Sequence, residues 1–265
     1  MQENNKKTTI DADEIDLRDV YEKFRYNYKW FILGALLAVL AAYIYLRYIP
    51  NEYEVNASIL IDDKDNGGGM NSELAAFADI GLLGDSKTSL DTEIDVLKSR
   101  TLMQRVIKDL GINTTYYLDG RVRLYEQYKK SIPLRINFLA KDSVFYSTDT
   151  AFTITAQSDT EFILGNKEDD RTIHGTFGEK IESNLGDMII TPSNIRKIET
   201  GDELLIQINP LKAVANNYLE RINIAAKSKK SSVLVLSLKD PIPQKAEDIL
   251  NNLVAQYNRD AVDDK

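Results

Sequence analysis

Trp30 to Ile49 reads WFILGALLAVLAAYIYLRYI, a run whose lone charge, Arg47, stands near its far end. Twenty helical residues rise about 30 Å, which matches the hydrocarbon thickness of a bilayer. The apolar side chains go all the way round, unlike the single stripe of a helix on a soluble core. Trp30 at one end and Tyr43, Tyr45 and Tyr48 at the other suit the two interfaces. Arg47 can extend its guanidinium outward, and Pro50 ends the helix. The stretch predicts a transmembrane helix over 30–49 that contacts the lipid bilayer directly.

The flanks orient this helix. Arg18, Lys23, Arg25 and Lys29 precede it closely, whereas only Arg47 and Lys64 stand near on the other side. The positive-inside rule then puts residues 1–29 in the cytoplasm and residues 50–265 outside it. A cleaved signal peptide fits less well. The leading segment carries seven acids, the apolar core is long, and Arg47-Tyr48-Ile49 occupies the place where small residues are needed. Between Ile15 and Lys29, Leu17, Val20, Tyr21, Phe24 and Tyr28 recur at spacings of three and four. This is one face of an amphipathic helix. Three readings stay open for it: lying on the inner leaflet, packing on a neighbouring copy, or continuing the membrane helix.

Beyond Pro50 the pattern becomes mixed helix and strand. Tyr53, Val55, Ala57 and Ile59 alternate within YEVNASILI and predict a strand. Asp62 to Asn71, with Gly67-Gly68-Gly69, is loop chemistry. It lacks the acid that a calcium loop needs at its last position and the Lys-Ser/Thr of a phosphate cradle. Ser72–Ala78 predicts a short helix, followed by the apolar patch Ile80–Gly84. Residues 89–111 carry two stripes, Leu90/Ile94/Leu97 and Leu102/Met103/Val106/Ile107/Leu110, which slip out of phase around Ser99–Thr101. A helix, a kink and a second helix follow, with Thr101 as N-cap and Gly111 beyond the C-terminus.

Residues 112–209 change character. Asp119-Gly120 is a hairpin signal between Tyr116–Leu118 and Val122–Tyr125, although the second arm also fits a helix. Short β-patterned runs cover 133–140, 151–157, 161–164, 187–191 and 203–209, which predicts a β-rich module over 132–208. Asn209-Pro210 reads as an N-cap and first helical residue. Ile222–Ala226 and Val233–Leu238 are strands, and Pro241 opens a helix with Ile242, Ala246, Ile249, Leu250, Leu253 and Tyr257 on one face. That pattern still runs at Ala261 without a cap, so the expectation is a truncated chain. The fold class expected is α+β: one N-terminal membrane helix, then an extracytoplasmic α/β unit with a β-rich insert.

Three pieces, in this order behind a first membrane helix, carry a family resemblance. They are Ile15-Asp16-Leu17-Arg18 with the strand Tyr53–Ile61; Thr92–Arg100 followed by Val106-Ile107 and Leu110-Gly111; and Val233–Leu238 with Asp240-Pro241, Ala246, Ile249-Leu250-Asn251, Val254 and Tyr257. Over residues 15–111 and 210–262 the chain resembles the chain-length determinant, or polysaccharide co-polymerase, family of bacterial envelopes. The β-rich stretch resembles the insert of longer members that continue into a tyrosine autokinase. The resemblance implies a homo-oligomer in the bacterial inner membrane with a periplasmic domain. Its implied partners are the polysaccharide polymerase and export machinery, and the polysaccharide itself. The implied role is control of the assembly, chain length or export of capsular or exopolysaccharide. Family members normally have a second membrane helix and, in the long class, a kinase domain; neither is in this sequence, so no catalytic role is carried onto any residue.

The residues themselves point away from other chemistry. A net charge of -8 and the lack of any arginine-rich arm argue against nucleic acid as a partner. With no cysteine, thiolate chemistry and disulfides are excluded. His174, the single histidine, reads as a surface residue in the polar loop Thr172–Gly175. Asp62-Asp63 and Glu168-Asp169-Asp170 read as solvated loop carboxylates. No catalytic, cofactor-binding or metal-binding residue is therefore assigned, no cofactor is expected, and the chain is not expected to be an enzyme. Two other readings remain: the extracytoplasmic sensor half of a capsular-polysaccharide tyrosine autokinase, and an unrelated membrane-anchored binding module.

Overall fold

The computed structural model describes residues 25–49, 51–61, 85–120, 124–166, 169–183, 186–228 and 231–263. Residues 1–50 and 51–265 form separate compact units. In the first, helix α1 (Tyr28–Tyr48) covers the apolar run and none of it is buried. Among the described residues it is the one helix long and apolar enough to cross a membrane. Most of the amphipathic segment 15–29, the loop 62–71, the helix expected over 72–78 and the patch 80–84 lie outside the described residues.

The second unit has two cores. The first is an α/β layer built on a three-stranded antiparallel sheet ordered β1-β12-β11 (Tyr53–Leu60, Val233–Asp240, Ile222–Ala226). Alternation sends Leu234, Leu236 and Leu238 of β12 inward, where all three are fully buried. Val55, Ala57 and Ile59 of β1 pair with Leu238, Leu236 and Leu234 and join the same core. Four helices cover that face: α2 (Asp85–Leu97), α3 (Arg100–Leu110), α5 (Leu211–Arg221) and α6 (Pro243–Asp263). They contribute Leu97, Met103, Ile107, Ala215, Ile249 and Leu253, among others, to one contiguous cluster. Glu54, Asn56, Ser58 and Asn223 point the other way and are exposed. The described parts of all three segments of the resemblance therefore meet in one core, while Ile15–Arg18 lies outside the described residues.

Helix boundaries shift slightly from expectation. Ser99, not Thr101, caps α3: it is extended (ψ 138°) and its hydroxyl accepts the Leu102 N–H at 3.2 Å. Thr101 already lies in the first turn. Gly111 ends α3 in the left-handed region, φ 65°, as its place predicted. Asn209 does not cap α5, because its side chain accepts from Gln207 Nε2 and Pro210 takes the cap position. α6 starts at Pro243 instead of Pro241.

The second core is a pair of antiparallel sheets. One has six strands ordered β3-β2-β10-β5-β6-β7: Leu124–Gln127, Thr114–Asp119, Glu203–Ile208, Thr150–Ala156, Glu161–Asn166 and Asp169–Thr176. The other is β4-β9-β8: Leu134–Phe138, Gly186–Pro192 and Lys180–Ser183. A one-turn helix α4 (Asp142–Phe145) joins β4 to β5. Leu134, Ile154, Phe162, Met188, Ile190, Leu204 and Ile206 are buried in this core. Beyond Asp119-Gly120 the arm Leu124–Gln127 is strand, with Leu118 facing Tyr125. Hydrogen bonding in the six-stranded sheet thus reaches back to Thr114, upstream of residue 132. Thr114 also faces Ile208, and the Asn209 N–H donates to the Asn113 carbonyl at 2.9 Å. The β-rich part therefore leaves the α/β layer and rejoins it at adjacent points.

His174 lies on strand β7 opposite Ile163, and not in a loop as expected. Asp169 and Asp170 start the same strand, while Glu168 and Asp62-Asp63 are outside the described residues. The sequence DDRTIHGT hides this strand because an edge strand need not alternate cleanly. Gly175 on β7 faces Phe162, whose ring fills the space a side chain would take: an added Cβ would stand 2.6 Å from Phe162 Cζ. Gly175→Ala is expected to destabilise the chain by about 1–3 kcal/mol through overpacking. Leu236→Ala, which opens a cavity in the other core, is expected to cost about 2–5 kcal/mol. Urea unfolding of the full chain in detergent, followed by circular dichroism, measures both. An unshifted Leu236→Ala midpoint would contradict the packed α/β core.

Candidate functional site: an ionic seam along α6

Alternation along β12 runs Leu234, Leu236, Leu238 and then Asp240, so a carboxylate takes a place on the inward face. Asp240 is fully buried. An isolated charge there costs several kcal/mol, and its partners decide whether it is tolerated. Asp240 Oδ1 accepts the Ile242 N–H at 2.9 Å and lies 3.3 Å from Lys245 Nζ. Oδ2 lies 3.2 Å from Arg221 Nη2 at the end of α5. The same guanidinium donates to the Lys239 carbonyl and stacks over Tyr218, 5.3 Å from the ring centre. One buried carboxylate therefore joins the ends of β12 and α5 to the start of α6.

Lys245 carries the connection across to the β-rich part. Its ammonium is itself buried and stands 2.6 Å from Glu126 Oε1 on β3. One turn on, Asp248 Oδ2 lies 2.7 Å from Lys129 Nζ in the 3-10 turn Lys129–Ser131. α6 thus offers a cation and then an anion, three residues apart. β3 and its turn offer an anion and then a cation at the same spacing. The two charge patterns match in only one register.

Burial alone would pull the Lys245 pKa down, but Tyr218, Glu126 and Asp240 around it prevail and hold it up at about 12. Burial raises the Tyr218 phenol, and burial followed by Asp248 raises that of Tyr128. Lys245 is thus held in its cationic form between two carboxylates. The arrangement is a clamp built from paired charges. Among the described residues no group of three His, Asp or Glu side chains is placed to hold a metal.

Further polar ties hold α6 to α2 and α3. Tyr257 Oη donates to Glu93 Oε2 at 2.7 Å, Gln256 Nε2 donates to Asp109, and Arg105 pairs with Asp260. Glu93 falls inside the Thr92–Arg100 motif, so the second segment of the resemblance touches its third through this hydrogen bond. Sequence reading passed over Lys245 and Glu126. The available signal was Asp240, a charge on the buried parity of an otherwise apolar strand.

Residues 13–110 match the family model described as chain length determinant protein (Wzz). Over that interval the chain is similar to the chain length determinant family. It contains α1, β1, α2 and α3, which means that β12, α5 and α6 complete the core of a Wzz-type segment from outside the matched interval. Three relatives align over most of the chain. The tyrosine-protein kinase ptk of Acinetobacter johnsonii is 26% identical, over 97% of this chain and 36% of its own length. A putative tyrosine-protein kinase EpsB of Ralstonia solanacearum is 23% identical, over 86% and 32%. A putative tyrosine-protein kinase in cps region of Klebsiella pneumoniae is 23% identical, over 96% and 35%. The chain therefore spans about a third of the length of these relatives. The crystal structure of Xanthomonas campestris FlgL aligns with a TM-score of 0.20 at 10% identity, over 56% of this chain and 60% of that one, which carries no argument.

Lys245→Met should cost about 3–5 kcal/mol, because it leaves the Asp240 and Glu126 carboxylates under-compensated. The pH dependence has a definite sign. The folded-state pKa of Lys245 is raised, so its contribution is whole below its ordinary value of 10.5 and is lost as pH rises through about 12. The stability gap between wild type and Lys245→Met should narrow over that window, as read by urea titration in detergent. A gap that widened with pH would reverse the assignment.

Proposed function

We propose that the chain is an inner-membrane component of a polysaccharide co-polymerase, acting on the assembly, chain length or export of a capsular or exopolysaccharide. The observation that carries this reading is the match of residues 13–110 to the chain length determinant family, with the apolar helix α1 inside it. In this reading residues 1–29 are cytoplasmic and 30–49 cross the bilayer. Residues 50–265 form a periplasmic domain with the β-rich part as its attached module. Polymerase and export proteins, further copies of the chain and the polymer itself are its partners. Support for the orientation comes from Arg18, Lys23, Arg25 and Lys29 ahead of the helix.

A second reading has its own observation. The relatives are named tyrosine-protein kinases, and the chain aligns with about a third of each. It would then be the envelope-facing part of a kinase system, reporting to a phosphorylating domain on the cytoplasmic side. The two readings are compatible in topology and differ in output.

A periplasm-active phosphatase fused after Lys265 is expected to be active, and one fused before Lys29 silent. The opposite pattern removes the co-polymerase reading. Deleting the gene in the source bacterium should shift the length distribution or amount of surface polysaccharide on a gel. An unchanged polymer accompanied by altered tyrosine phosphorylation would favour the second reading.

A further inference from the structure

A cleft of about 490 Å³ opens in the β-rich part, between β2, the 3-10 turn, β4 and the segment after β9. Its size is that of a small-ligand site, which typically has roughly 300–1,000 Å³. Tyr116, Ile132, Ile136 and Ile195 supply apolar lining over the buried Leu134, and Lys129, Lys130 and Arg135 supply the charge. Every ionisable side chain with a full charge at neutral pH in that lining is a cation, in a chain whose net charge is -8. A concave patch of one sign concentrates counter-ions against the field of the rest of the molecule.

The cationic rim is built in advance of any ligand. Lys129 has φ 47°, and among the described residues it is the one non-glycine with a positive φ. Such a conformation persists only where its surroundings over-determine it, and it marks functional turns. Here the surroundings are visible. The Tyr128 N–H donates to Ser131 Oγ at 2.8 Å, and that hydroxyl donates back to the Tyr128 carbonyl at 3.0 Å. Arg196 Nη1 donates to Gln127 Oε1 at 3.0 Å and to the Ser131 carbonyl at 3.3 Å. The Lys129 ammonium is drawn away to Asp248. Lys130 and Arg135 are exposed, and neither forms an ion pair among the described residues. They are the charges left to meet a ligand.

We propose that this cleft binds a carboxylate-bearing sugar unit of an acidic glycan. Arg135 and Lys130 would receive the carboxylate, the guanidinium through paired N–H donors. The aliphatic floor and the Tyr116 ring would lie against the C–H faces of the sugar. Hydroxyl-rich rings with an apolar face and one negative charge match this lining better than a bare anion, which has no use for the isoleucines. The choice of a glycan over other carboxylates rests on the co-polymerase reading above; the cleft and its charge do not.

The test uses the full chain in detergent with oligogalacturonate, oligomannuronate and hyaluronan oligosaccharides as probes, and neutral maltooligosaccharide and inorganic phosphate as comparisons. Calorimetry should show salt-sensitive binding of at least one acidic oligosaccharide and none of the neutral one. Lys130→Ala/Arg135→Ala should weaken that binding by about a hundredfold, roughly tenfold for each cation, which is the scale of one charge-assisted hydrogen bond. Lys212→Ala, at an exposed position of α5, should leave it unchanged, and unaltered circular dichroism of the double variant excludes misfolding. Failure of all three acidic probes overturns the proposal, as does binding indifferent to the double substitution. Displacement by phosphate at equal concentration overturns it in favour of a simple anion site. If uronate binds in the cleft while gene deletion leaves surface polysaccharide intact, the cleft stands and the co-polymerase reading falls. The reverse result removes the cleft alone.

Discussion

The buried carboxylate of Asp240 is the constraint on which the arrangement of residues 51–263 depends. It ends the central strand of the three-stranded sheet, and its oxygens accept from the backbone that starts α6 and from side chains of α5 and α6. Its cationic partner Lys245 is equally buried and belongs also to Glu126. Removing any one of these groups strands another charge in an apolar setting, so the three elements and β3 are fixed together. Buried ion pairs add little net stability compared with well-packed apolar groups. What they add is a geometry with few alternatives, because each donor must find its own acceptor.

That geometry solves a problem set by the chain's topology. The α/β layer is discontinuous: β1 pairs with β12, and α3 packs with α5 and α6, although the β-rich part intervenes. An insertion of this kind disrupts its host least when its two ends are neighbours. They are neighbours here, since Thr114 and Ile208 face one another across the β2–β10 ladder. A two-strand connection alone leaves the inserted sheets free to pivot. The Lys245–Glu126 and Asp248–Lys129 pairs supply a second attachment away from that hinge, and two separated attachments resist rotation where one does not.

Much of this was legible in the sequence, and the omissions share a cause. Period and capping identified α1, β1, α3, β11, β12 and α6, because each has a long apolar face or a distinctive end such as Gly111. Ser99 was passed over as a cap in favour of Thr101 because both are hydroxyl residues in one short break, and only backbone angles separate them. β7 and β8 carry no readable alternation because edge strands hold polar residues on both faces, and the sequence around His174 therefore resembles a loop. The start of the β-rich part near Thr114 was obscured by the ambiguous arm after Gly120. Long-range charge pairing was not legible at all. Nothing local to Glu126 or Lys245 distinguishes it from a solvated surface residue, and only Asp240, on the wrong parity of its strand, carried a trace.

The seam and the cationic cleft share the turn Lys129–Ser131, which links anchoring to recognition. Lys129 is committed to Asp248 of α6, whereas its neighbour Lys130 faces the cleft. The backbone of Lys129 holds a conformation that an unconstrained lysine would leave, so the ion pair, the Ser131 hydrogen bonds and Arg196 together keep the turn in place. Lys130 therefore sits on a turn already tied to α6 by the Lys129–Asp248 pair, and α6 is tied in turn through Lys245 to Asp240 and the central sheet. The seam thus holds the β-rich part at a second point against the core formed with the Wzz-type segment.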